Sequence, residues 1–163
     1  MNIRTLLSRV ATGALLVAAS ASVTAGEDIV HRRDAPARLV GVWHISGQPV
    51  NCATGQSLPV PPITGIIAFH AGGTSTESAP SVTPRTPGLG TWQRVGGHQF
   101  KATATVLNFD VNGFSTGSLV VRRTITLVKE GSSFTAVTRT TITDASGVAT
   151  QRCTLAEAVR AAD

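Results

Sequence analysis

The chain has 163 residues, room for one domain with a substantial core, and only 14 % of them are charged. Its net charge of +5 reflects few carboxylates, with no Lys/Arg-rich run and no aromatic-rich strand to stack bases, so nucleic-acid binding is not expected. Abundant Gly, Thr and Val suit strands and tight turns better than a helical bundle.

The chain opens with a short basic stretch, Met1 to Arg9, an apolar run from Val10 to Ala19, and the small residues of SASVTAG. That order is the one a secretory signal has, and the run is too short to span a bilayer. Val23-Thr24-Ala25 places small residues where a signal peptidase reads, so residues 1–25 are expected to be removed, with Ala19-Ser20-Ala21 as the second choice of site. Cleavage would leave no membrane span, take Arg4 and Arg9 out of the net charge, and send the protein to the periplasm or the exterior, where disulfides persist. Residues 26–37 have no periodicity and read as a flexible lead to a single domain over 38–163.

From there, turn signals recur at short intervals: His70-Ala71-Gly72-Gly73, Val95-Gly96-Gly97-His98, Asp110-Val111-Asn112-Gly113, Glu130-Gly131-Ser132 and Asp144-Ala145-Ser146-Gly147. Glycine supplies the positive φ of a hairpin turn, and Asp or Asn bonds its own turn backbone. Strands are predicted near 39–46, 63–70, 74–79, 89–95, 98–109, 115–129, 132–143 and 147–155. Alternation puts Phe100, Ala102, Ala104 and Val106 on one face, and Phe134, Ala136 and Ile142 on another. Leu119, Val121, Ile125 and Leu127 share a third, interrupted by Arg123. Residues 47–62 and 80–88 hold seven of the eight prolines and read as long loops. Over Thr154 to Ala162, the spacing of Leu155, Ala158, Val159 and Ala162 predicts a short C-terminal helix.

Eight strands joined by short hairpins must hide their edges. The expected fold is therefore all-β, a single antiparallel up-and-down barrel of about eight strands, with a two-sheet sandwich as the alternative. In a barrel the first and last strands are neighbours, so Cys52 and Cys153, the two cysteines present, are placed to form a disulfide. Neither has a histidine at zinc spacing, the four histidines are scattered, and no metal site is expected. Asp110 and Asp144 open hairpins and read as turn formers. No serine sits in a G-x-S-x-G elbow and no Gly-rich loop precedes a helix, so neither a catalytic residue nor a cofactor is assigned.

The stretch Leu39-Val40-Gly41-Val42-Trp43 resembles the Gly-x-Trp signature on the first strand of lipocalins and other calycins. The resemblance implies an eight-stranded barrel that holds small, mostly apolar ligands. It also implies that Trp43 closes one end beneath an Arg of the last strand, Arg152 or Arg160. Gly90-Thr91-Trp92-Gln93-Arg94 and the late Asp-x-x-Gly hairpin resemble a second set, exported bacterial barrels with a Gly-Thr-Trp-x-Arg strand, which brings no function with it.

Arg123 is the most informative charge, because its alternation partners are apolar. Buried there, it needs a carboxylate, carbonyls or an anionic ligand. Arg123 is expected to hold the polar end of a ligand, with Trp92 as a wall of the pocket. The sequence thus points to an exported barrel binding a small apolar or amphipathic molecule, an anionic one included. The alternatives are a small barrel enzyme of isomerase or cyclase type, and a structural or interaction module with a filled core. Oligomeric state is not readable from the sequence.

Overall fold

The computed structural model describes residues 38–128 and 131–162; the expected signal segment and the lead over 26–37 lie outside the described residues. The strands are β1 (Gly41–Val50), β2 (Ile63–Phe69), β3 (Thr74–Ser78), β4 (Gly88–Gly96), β5 (Gln99–Phe109), β6 (Ser115–Leu127), β7 (Ser133–Asp144) and β8 (Ala149–Arg160). They form a closed barrel in which each strand pairs antiparallel with the next and β8 returns to β1. No sandwich forms, because closure satisfies the last edge: Trp43–Val50 pair with Arg160–Cys153 in continuous register.

That pairing also overrides the expected C-terminal helix. Residues 149–160 are strand, with Ala156 and Ala158 buried inside the barrel and Leu155, Glu157 and Val159 exposed outside. The period-2 pattern of small inward residues is what β1 requires opposite it, and the helical spacing of Leu155, Ala158 and Val159 is incidental. A second difference is the length of β1, which runs through Pro49. Proline fits because β2 has already ended on that side, at the Gly47–Ile63 pair, and the Pro49 carbonyl there accepts from Leu58 N at 2.9 Å, away from β8.

The hairpin aspartates act as expected. Asp110 Oδ1 accepts from the backbone N–H groups of Asn112 and Phe114, both at 2.9 Å. Asp144 Oδ1 accepts from Ser146 N and Val148 N at 2.9 Å and from the Ser146 hydroxyl at 2.7 Å. These bonds, led by the one from the Ser146 hydroxyl, hold the Asp144 carboxyl below its ordinary pKa.

The interior is filled unevenly. Trp43, Phe69, Trp92, Phe100 and Phe134 cluster at one end, with ring centroids 4.9 Å apart for Trp43–Phe134, 6.0 Å for Phe69–Trp92 and 5.8 Å for Trp92–Phe100. Leu39, Ile125 and Leu127 complete this plug. Towards the other end the inward positions are small: Gly47 on β1, Gly65 on β2, Gly88 and Gly90 on β4, Thr138 on β7, and Thr154 and Ala156 on β8. Five of the seven aromatic side chains are therefore spent on one half of the barrel, and the other half is left open.

Candidate functional site

The closed end is built from the first and last strands. Arg160 crosses the rim and lays its guanidinium 4.3 Å from the centroid of the Trp43 ring. The same guanidinium donates to Val40 O at 2.9 Å, to Gly131 O at 3.2 Å and to Arg38 O. Trp43 is fully buried, and its indole N–H donates to Leu39 O at 2.9 Å. Gly41 has φ +137°, and a Cβ there would collide with Arg160 Nη1. The glycine of the Gly-x-Trp pattern is thus required twice, for its backbone angle and for the passage of the arginine to the tryptophan. Arg152, the other arginine open to that role, lies at the opposite end: it pairs in register with Thr140, is exposed and lines the mouth.

Above the plug lies a cavity of about 1120 Å³, open at the far end of the barrel. Its floor includes Ile45, Ile67, Val121 and Ala156, and its mouth is framed by the β1–β2 and β3–β4 connections. Both proline-rich loops are tied down. The Cys52–Cys153 disulfide fastens the first to β8, with Cα atoms 5.2 Å apart. The Gln48 side-chain amide donates to Leu58 O at 2.9 Å from beneath the same loop. Arg85 holds the second by donating to Ala79 O and to Pro80 O, the latter at 3.0 Å. Thr86 N and Phe109 N close it onto β5, through Leu107 O at 3.0 Å and Pro84 O at 2.9 Å. The mouth is therefore a built structure.

Arg123 projects into this cavity, as its alternation with Val121 and Ile125 requires. It does not stand there alone. Its Nη1 donates to Glu77 Oε2 at 2.5 Å, and the two side chains are only 11 % and 14 % exposed. Glu77 sits on β3, three strands away round the wall, and reaches Arg123 because the positions between are nearly empty. Gly88 faces Glu77 on β4, Gly90 and Ala104 face each other across β4 and β5, and Ala102 lies opposite Arg123. A Cβ on Gly88 would overlap Glu77 Cγ, so the glycine supplies the space the carboxylate side chain occupies.

Trp92, expected as a wall of the pocket, belongs instead to the plug. Its ring packs between Phe69 and Phe100 and its indole N–H donates to His70 O at 3.1 Å; it does not line the cavity. The reason is depth: Trp92 sits two residues beyond Gly90 towards the closed end, opposite Ala102. Glu77 carries no signal in the sequence: β3, TSTES, is polar on both faces, and alternation does not say which side turns inward. Among the described residues no cluster of three or more His, Cys, Asp and Glu side chains is arranged to hold a metal ion. No helix of the described residues is long and apolar enough to cross a membrane.

No family model, curated protein or solved structure matches this chain. The closed ring of eight antiparallel strands in sequential order is consistent with a calycin-like fold.

Proposed function

We propose that this protein is an exported carrier or receptor of a small, largely apolar molecule, held in the open half of the barrel. One observation carries the reading: a single-ended cavity of about 1120 Å³ with a mostly aliphatic floor and one buried ion pair. Such a combination of apolar volume and few converging polar groups is what ligand pockets have in common. A barrel serving only as scaffold gains nothing from leaving half of its core unpacked, since voids forfeit dispersion contacts. Export is supported by the order of residues 1–25 and by the Cys52–Cys153 bond, which is compatible with an oxidising compartment. At the mouth, Arg152 offers an acidic head group a cation; on the floor, Glu77 already compensates Arg123.

The test is a titration with N-phenyl-1-naphthylamine, an uncharged apolar fluorophore. Saturable one-to-one binding is expected, and Thr140→Phe, which places a ring within the cavity wall, should weaken it by at least about tenfold. Unsaturable binding, or binding indifferent to Thr140→Phe in a folded variant, would refute the reading.

A further inference from the structure

The ion pair on the cavity floor is incomplete as a hydrogen-bonded unit. A guanidinium carries five N–H donors, and Arg123 uses Nη1 on Glu77. Its Nε is buried with no hydrogen-bond partner among the described residues, and no other bond from this guanidinium to them exists. The lining residues Ile45, Ile67, Val121 and Ala156 have no side-chain acceptor to offer, and Thr138, directly opposite Arg123 on β7, leaves the Nε unpaired despite its hydroxyl. A charged donor held in such surroundings leaves part of its desolvation uncompensated, and a buried pair is favourable only when its remaining protons find partners. The chain sets an arginine in a largely apolar lumen, neutralises it through Nη1, seals Nε in the wall and leaves Nη2 without a bond to the described residues.

We propose that the missing acceptor belongs to the ligand, and that it is an uncharged oxygen: the carbonyl of a ketone, aldehyde, ester or amide on an apolar body. This rests on the reading of the cavity as a ligand site and specifies what the site selects. A hydrocarbon would leave the guanidinium donors unpaired. A carboxylate would bring a second negative charge beside Glu77, where the surroundings screen it poorly. A carbonyl oxygen accepts from Arg123 Nη2, which makes no bond to the described residues and, unlike Nε, is not sealed off, and it leaves the Glu77 bond intact while its apolar body lies against the aliphatic wall. Gly88 takes part as a positioning residue, since its missing side chain lets Glu77 reach the arginine.

Displacement of N-phenyl-1-naphthylamine by 2-nonanone, nonanoate and nonane at neutral pH separates the possibilities. The wild-type protein should bind 2-nonanone at least about tenfold more tightly than either of the others. Glu77→Gln uncovers the arginine's charge and should invert the order, with nonanoate binding best. The double variant Glu77→Gln/Arg123→Met removes both charges and keeps volume; it should take 2-nonanone and nonane alike, and it decides the matter even where the single variant fails to fold. Wild-type preference for nonanoate, or equal binding of 2-nonanone and nonane, would overturn the proposal while leaving the cavity a binding site. Failure of the fluorophore and all three probes to bind the folded protein would overturn both.

Discussion

Replacing Trp43 by alanine probes the closed end on which the barrel's interior depends. The side chain is fully buried, and truncating a core aromatic to alanine costs about 3–5 kcal/mol. Three contacts push the value towards the top of that range. The ring lies 4.9 Å from Phe134, a pairing worth about 0.5–1.5 kcal/mol beyond burial. Arg160 lies 4.3 Å above it, worth about 0.5–1 kcal/mol at a rim position. The indole N–H satisfies Leu39 O at 2.9 Å, and losing that bond costs about 1 kcal/mol. Trp43→Ala should therefore lose about 4–5 kcal/mol, a large share of the 5–15 kcal/mol typical of a domain. Trp43→Phe keeps a ring and should lose about 1–2 kcal/mol. Urea denaturation followed by circular dichroism and by Trp92 fluorescence measures both, and an unchanged m-value confirms that stability alone has moved. A loss below about 1 kcal/mol for Trp43→Ala would refute the assignment of Trp43 and Arg160 as the barrel's closing pair.

Three further outcomes follow from the same geometry. Glu77→Gln and Arg123→Met should each cost about 3 kcal/mol, at the low end for a buried pair because the lumen opens to water, and the double variant should lose clearly less than the sum in a double-mutant cycle; Gly88→Val, which crowds Glu77, should match the single Glu77 loss, and additive costs would mean the pair does not interact. Reducing the Cys52–Cys153 bond, which closes a separation of 101 residues, should lower stability by up to about 4–5 kcal/mol in the chain-entropy model and speed amide exchange in the mouth loop over 51–62, and unchanged exchange there would show that the loop is held by its hydrogen bonds to Gln48 and Pro49 without the disulfide. The lowered pKa of Asp144 adds stability that is fully present above the unfolded carboxylate value and is lost as pH falls through the folded one, so the protection factors of the Ser146 and Val148 amides should fall across that window and stay constant over it in Asp144→Ala.

Much of this architecture is legible in the sequence, for identifiable reasons. Glycine with Asp or Asn at the hairpins is local chemistry, so the strands can be bounded to within a few residues. Inward alternation of Phe100 to Val106 and of Phe134 to Ile142 is visible because one face is apolar and the other is not. The inward aim of Arg123 follows from the same pattern. What failed was set by depth and by tertiary pairing. Alternation gives the face of Trp92 but not its height in the barrel, so it does not separate a ligand wall from the plug. The last strand carries a helical spacing that its pairing overrides, and its partner β1 lies about a hundred residues away. Glu77 was invisible for want of contrast along β3, although Gly88, Gly90, Ala102 and Ala104, all small and all on one interior path, were the trace of the side chain that crosses them.

If the open half of the barrel receives a ligand, the ligand must touch the side chains that line it. Methyl-resolved NMR of the protein with 2-nonanone tests it directly. Intermolecular contacts are expected from the probe's alkyl chain to the methyl groups of Ile45, Ile67, Val121 and Ala156, which face the lumen. Contacts confined to the exposed methyls of Val137, Leu155 and Val159 on the outer wall would contradict it.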